Sequence, residues 1–198
     1  MKRHSICEDK LSILEFGSGD GSLMSGLIQY LLINNKKILK NVCFIIIEPN
    51  KGMVKQQKQK LEKYLKLGFD IFWRSLEEFE DESLNGVILA NEVLDALPVE
   101  RLTNLKGKIY RQGVSLDQES GRLFFKEITI TKELKKTIAI AQERLNINIP
   151  PKEAPEGWTT EWHIDNKSWL KAVYEKINNG ILLVIDYAKE AKRYYSLS

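Results

Sequence analysis

The segment Glu15-Phe16-Gly17-Ser18-Gly19-Asp20-Gly21-Ser22-Leu23 has the residue types and spacing to hold a ligand. Glycine is required where a backbone takes positive φ or comes close to a bound group. If a helix follows the turn, its N-terminus offers unpaired N–H groups and the positive end of a dipole. Such an end holds an anionic group, worth up to about 2 kcal/mol in a partly buried site. A phosphate loop needs Gly-Lys-Ser/Thr, and no lysine follows these glycines. A dinucleotide turn needs G-x-G-x-x-G, and Ser22 stands where the third glycine belongs. The spacing is instead G-x-G-x-G, with Glu15 two residues ahead. A carboxylate there suits a cationic amino group, which a methionine moiety carries and a pyrophosphate lacks. A purely structural turn has the same glycine pattern.

A second acid, Glu48, closes the apolar run 41–47 (NVCFIII). An acid at the end of a second strand can accept both ribose hydroxyls, a rule shared by several nucleotide-binding α/β folds. The alternative is a solvated carboxylate at a strand end. Together, Gly17, Gly19, Gly21, Glu15 and Glu48 form a candidate nucleoside site.

Alternating strands and helices must position these residues. Residues 12–16 (SILEF) read as a strand ending in the glycine turn. Leu23, Met24, Leu27, Ile28, Leu31 and Leu32 then recur at helical spacing up to Asn34-Asn35. The β-branched run 41–47 suits a strand buried on both faces. Residues 53–67 read as a helix stopped by Gly68, with the basic run 51–66 as its solvated face or, alternatively, a phosphate-binding patch. Residues 69–73 are a third strand. Residues 86–90 (GVILA) are a fourth, entered from a turn at Asn85-Gly86. Asn179-Gly180 introduces a fifth, Ile181 to Asp186, after a helix over 166–177. This pattern predicts an α/β fold with a mostly parallel sheet. Between the fourth and fifth strands, residues 102–161 read as an insertion. It carries a hairpin (108–116 with 122–130), a helix (132–145) and a Pro-rich loop (149–158). The whole is expected to be one domain.

The 198 residues are 43% apolar and 29% charged, with a net charge of +3, which describes an ordinary globular protein. The scattered basic residues give no nucleic-acid footprint. Cys7 and Cys43 read as isolated thiols, which implies a reducing compartment. With only His4 and His163 besides, no His/Cys metal cluster is expected. The N-terminus lacks the apolar core of a secretory signal, and the apolar runs are too short to span a bilayer. A cytoplasmic location follows by default.

The stretches Leu14 to Met24 (LEFGSGDGSLM), Glu48 to Gln57 (EPNKGMVKQQ), Ala90 to Val99 (ANEVLDALPV), Gly157 to Trp162 (GWTTEW) and Gly180 to Tyr187 (GILLVIDY) occur in the order seen in MidA-like class I methyltransferases. The sequence resembles that family, which includes the mitochondrial complex I assembly-factor protein arginine methyltransferase. Asn91 to Pro98, Asn-Glu-x-x-Asp-Ala-Leu-Pro, is the most specific element. The resemblance implies a Rossmann-like methyltransferase sheet, S-adenosyl-L-methionine as cofactor and a protein arginine as methyl acceptor. Family members are longer at both ends, so terminal strands are expected to be missing here. The resemblance also implies a partner chain or second copy covering the exposed sheet edges. The last motif ends Asp186-Tyr187-Ala188, where the family usually has glycine last.

Within this resemblance, Glu92 and Asp95 would orient the guanidinium of the acceptor, and Asn91 would face cofactor or acceptor. Alternatively, Asp95 caps a following helix and Glu92 is solvated. Glu161 is either a third acid near the acceptor or the partner of a basic neighbour. Ser75 and Leu76, just past the third strand, are placed to border an adenine. Two other functions compete with catalysis of methyl transfer. One is a non-catalytic, cofactor-binding assembly factor. The other is a nucleotide-dependent oxidoreductase, against which Ser22 argues.

Overall fold

In the computed structural model, which describes Cys7 and residues 10–196, the apolar runs lie side by side as strands. The chain divides into two compact units, Met1–Ala96 with Asn166–Tyr187, and Leu97–Asp165 with Ala188–Ser198. Strands and helices are numbered here along the whole chain. The first unit contains β1 (Leu11–Phe16), β2 (Val42–Ile47), β3 (Ile71–Arg74), β4 (Leu84–Asn91) and β9 (Ile177–Ile185). They form a sheet in the order β3-β2-β1-β4-β9, and every pairing is parallel.

Successive side chains of a strand point to opposite faces, which explains why β2 is apolar throughout. Phe44 and Ile46 pack on Met24 and Ile28 of α1 (Ser22–Asn34) and on Leu61 and Tyr64 of α2 (Lys51–Lys66). Cys43 and Ile45 join Leu14, Phe16 and Ile88 in a second cluster, with Val173 of α4 (Asn166–Lys176). Phe16 meets Trp169 edge-on at 5.0 Å between ring centroids. Because all five strands are parallel, their carboxyl ends share one edge. Phe16 stands beside Ile47 and Ala90, Ile47 beside Arg74, and Asn91 beside Ile185.

Three details correct the sequence reading. Gly86 lies inside β4, not in a turn before it. A Cβ on Gly86 would stand 2.1 Å from the Ser12 carbonyl oxygen, and one on Gly180 would stand 2.4 Å from that of Gly86. The two glycines therefore let β1, β4 and β9 approach closely. For the same reason β9 starts at Ile177, ahead of the expected Asn179-Gly180 turn, with Asn178 Nδ2 donating to Asn85 Oδ1 at 2.9 Å. Thirdly, Cys7 and Cys43 are joined in a disulfide, so they are not isolated thiols. The inference from them to a reducing compartment loses its support.

The second unit has an antiparallel sheet in the order β7-β6-β5-β8, made of β5 (Val99–Leu105), β6 (Lys108–Leu116), β7 (Leu123–Ile128) and β8 (Thr159–His163). The sequence reading included the β6/β7 hairpin but not β5 or β8. The helix α3 (Lys132–Leu145) begins where Thr131 Oγ1 accepts the Leu134 N–H at 3.1 Å. Leu134 and Ile138 of α3 pack with Leu102, Ile147 and Ile149, and Tyr195, just after α5 (Ala191–Tyr194), packs against them. Buried Asn104 donates to the carbonyls of Ala154 and Pro155 at 2.9 and 3.0 Å, pinning the Pro-rich loop. The outer strand β7 is exposed along its length, including Leu123, Phe124 and Phe125. Among the described residues, no helix is long and apolar enough to cross a membrane.

Candidate functional site

The carboxyl edge of the parallel sheet gathers most of the residues singled out from sequence. The turn leaves β1 with Gly17, Gly19 and Gly21 at φ of 57°, 51° and 85°. Gly17 extends the ladder by donating its N–H to the Ile47 carbonyl at 3.0 Å. Gly21 precedes α1 directly, and a Cβ there would lie 3.4 Å from Gln57 Cα. Both its left-handed backbone and its proximity to α2 therefore favour glycine. Asp20 accepts the Ser22 N–H at 3.0 Å and forms an ion pair with Lys60. Hydrogen bonding from Lys60, then from Ser22, holds the Asp20 carboxyl down at about 2.

Glu15 lies beneath the turn and is only 3% exposed. Ser18 Oγ donates to its Oε2 at 2.6 Å. Burial pushes the Glu15 carboxyl up, and the Ser18 bond offsets this in part. In this arrangement Glu15 fastens the turn from inside. Glu48, just past β2, is half-buried. Its Oε1 accepts the Asn50 N–H at 2.9 Å and its Oε2 accepts from Gln57 Nε2 at 3.2 Å. A carboxylate has about four lone-pair sites, so each oxygen keeps capacity for a further donor.

Gln57 was missed by sequence reasoning, which assigned the run 51–66 to a solvated helix face. It is fully buried, as are Leu61 and nearly so Tyr64. The signal was its position: 57, 61 and 64 follow helical spacing along one face. At that face a glutamine stands where a core side chain is expected.

Past β3, Ser75 is occupied in a capping box. Its N–H donates to Glu78 Oε1 at 2.8 Å, and its side chain accepts the Glu78 N–H. Leu76 packs on the cluster around Leu14 and Phe16. Both residues thus lie at the same sheet edge as Glu48, as expected from their position.

Asn91, at the end of β4, and Glu92 and Asp95 beyond it are exposed. Glu92 has φ of 51° and donates its N–H to the Ile185 carbonyl at 2.8 Å. The alternative reading of Asp95 as a helix cap does not hold, because a turn leading into β5 follows it. A second missed residue, Asp186, anchors this loop. Its Oδ2 accepts the N–H groups of Leu94 and Asp95 at 3.0 and 3.2 Å. The only sequence signal was an acid closing the apolar run ILLVID. The loop and the glycine turn are neighbours, since a Cβ on Gly17 would stand 3.5 Å from Val93 Cγ2.

Glu161 belongs to the second unit, on β8, where it pairs in register with Arg101 of β5. Its charge contributes, after burial, to raising the Tyr194 hydroxyl above its ordinary value. His4 falls outside the described residues. Among the described residues, no group of three or more His, Cys, Asp or Glu could hold a metal ion.

A family model described as "putative S-adenosyl-L-methionine-dependent methyltransferase" matches residues 1–198. The chain belongs to this methyltransferase family. Two solved structures from Burkholderia thailandensis share its fold. One is described as a superfamily member and likely methyl transferase bound to S-adenosyl-homocysteine, with 23% identity and a TM-score of 0.73. The other is the native structure of an uncharacterized superfamily protein, with 24% identity and the same TM-score. Each match covers 96% of this chain but only 45% and 46% of the other, so this chain spans about half their length. No curated protein sequence matches the chain.

The residues at this edge fit the family's cofactor. Glu48 has open acceptor capacity for vicinal hydroxyls, and the glycine turn leaves backbone exposed beside it. Space around Gly19 is open, with nothing within 4 Å of a Cβ built there.

Proposed function

We propose that this chain binds S-adenosyl-L-methionine at the carboxyl edge of its parallel sheet and serves methyl transfer to a protein side chain. The observation that carries this reading is Glu48, fixed beside the glycine turn with acceptor capacity left on both oxygens. When bound, the cofactor supplies an electrophilic methyl group on a sulfonium. Gly17, Gly19 and Gly21 admit its methionine end, Glu48 accepts the ribose hydroxyls, and Ser75 and Leu76 border the adenine. Glu15 acts from below by holding the turn through Ser18.

On the neighbouring loop, Asn91, Glu92 and Asp95 receive the acceptor. An arginine acceptor, as in the complex I assembly-factor branch of the MidA-like proteins, fits two exposed carboxylates. A guanidinium stays protonated at neutral pH, so it needs anionic groups to orient it and to draw its charge toward the nitrogens that do not react. Alignment of donor and acceptor supplies most of the acceleration.

A second reading, a cofactor-binding assembly factor without catalysis, is favoured by one observation. Ile181, Leu183 and Ile185 on the outer strand β9 are 67%, 46% and 51% exposed, a row suited to a partner chain or a second copy.

Calorimetry with S-adenosylmethionine, S-adenosylhomocysteine and NAD tests the proposal. Binding is expected for the two sulfur nucleosides and not for NAD. Binding of NAD alone overturns it.

A further inference from the structure

Resting on the S-adenosylmethionine reading above, we infer that Gln57 is a positioning residue that fixes the ribose-accepting carboxylate of Glu48 relative to the glycine turn. Its side chain is fully buried, and its amide group meets three different strand-end segments. Nε2 donates to the Gly19 carbonyl at 2.8 Å and to Glu48 Oε2 at 3.2 Å. Oε1 accepts from Trp73 Nε1 on β3 at 2.9 Å.

The orientation of this amide is dictated by its neighbours. An indole N–H only donates, so the glutamine oxygen must face Trp73. The NH2 group is thereby aimed at two acceptors, a carbonyl and a carboxylate, and both of its hydrogens are used. A flipped amide would place N–H against N–H at Trp73 and oxygen against oxygen at the other two contacts. The buried group therefore has one satisfied state, and any other leaves buried polar groups unpaired.

The consequence lies at Glu48. Its Oε1 is tied to the backbone of Asn50, while its Oε2 is tied through Gln57 to the turn. With both oxygens held, the plane of the carboxylate is set, and so is the direction of its remaining lone pairs. Without Gln57, the carboxylate can rotate about its one remaining bond and loses its aim at a vicinal diol. Gln57 thus acts on ribose recognition without touching the nucleoside.

The test compares S-adenosylhomocysteine with its 2′-deoxy analogue by calorimetry, in the wild-type chain, Gln57→Met and Trp73→Phe. One hydrogen bond to a charged acceptor corresponds to roughly a 10- to 100-fold preference for the ribose form in the wild type. Gln57→Met keeps the length and burial of the side chain but removes its polar group, and is expected to cut that preference to about threefold or less. Trp73→Phe frees the amide to flip and is expected to cut it partially. A role confined to packing weakens both ligands alike and leaves the ratio unchanged. An unchanged ratio in Gln57→Met overturns the inference; if that variant does not fold, an unchanged ratio in Trp73→Phe does so. Absence of S-adenosylhomocysteine binding to the wild-type chain overturns the cofactor reading itself.

Discussion

The carboxyl edge of the parallel sheet has two halves built in different ways. Around the glycine turn, polar side chains are bonded to one another and to the turn itself: Glu15 to Ser18, Gln57 to the Gly19 carbonyl, Glu48 and Trp73, Lys60 to Asp20 and Ser22. Around Asn91 to Asp95, the side chains with chemistry are exposed, and the structure grips the backbone instead, through Asp186 and the Ile185 carbonyl. The first half is a preformed network, and the second presents exposed acids on a held loop. On the reading proposed above, that contrast of preorganisation with presentation is what a donor site and an acceptor site require.

Four of the following substitutions should separate the halves, and the first should not. Gly86→Ala forces a Cβ against the Ser12 backbone in the sheet that supports both. It is expected to destabilise the chain by about 3 kcal/mol or more in chemical denaturation and to depress binding and turnover together. Glu48→Ala should weaken S-adenosylhomocysteine binding by about 100-fold through two lost charge-assisted hydrogen bonds, and it should also lower the melting temperature, because one N–H of the buried Gln57 amide loses its acceptor. Unaltered affinity would place the ribose elsewhere.

Glu92→Gln and Asp95→Asn address the other half. Each is expected to lower methylation roughly 50-fold while cofactor affinity stays within about threefold. Unchanged turnover in both would remove the acids from the acceptor site. Asp186→Ala removes the acceptor that holds the Leu94 and Asp95 N–H groups and so frees the loop. Turnover should fall about tenfold, again with cofactor affinity retained. If affinity falls as far as turnover, the two halves are not separable.

The smallest effect concerns pH. Burial raises the Glu15 carboxyl above its ordinary 4.5, so the folded chain holds that proton to higher pH than the unfolded one. Its contribution to stability is therefore fully present below pH 4.5 and is lost as pH rises through the elevated value. Glu15→Gln cannot titrate. It should melt a few degrees higher than wild type at pH 8, with the gap closing as pH falls toward 4.5. A gap that widens on acidification would contradict the desolvation of Glu15.

Much of the first unit was legible in the sequence because its signals are local. The run NVCFIII can satisfy its burial only between two helix layers, and all of it but Asn41 is β2. The same holds for one helix of the second unit: that read over 132–145 is α3 to the residue, since Thr131 supplies the cap and Asn146 the left-handed stop. Legibility failed where the deciding contact is remote in sequence. Strands β5 (VERLTNL) and β8 (TTEWH) are mixed in polarity and become strands by pairing with each other across an intervening hairpin and helix. Cys7 and Cys43 meet across 36 residues. In the candidate site, the glycines and Glu48 were singled out by residue type and spacing, and the 91–95 loop by the family resemblance; the fold brings them to one sheet edge. For Gln57 and Asp186 the sequence offered only a position, on a buried helix face and at a strand end, because their bonds depend on which backbone and side-chain atoms the fold brings to them.

The outer strand of the smaller sheet has a practical consequence. With Leu123, Phe124, Phe125 and Ile128 exposed and one backbone edge unpaired, β7 is a template for another extended segment. Lys126 and Glu127 interrupt the apolar run, and Arg101 lies over the Phe125 ring at 5.2 Å from its centroid. Colloidal behaviour at high concentration should therefore be governed by this strand. Aggregation would then respond to charge changes at positions 126 and 127 well before it responded to the stability of the unit that holds the parallel sheet.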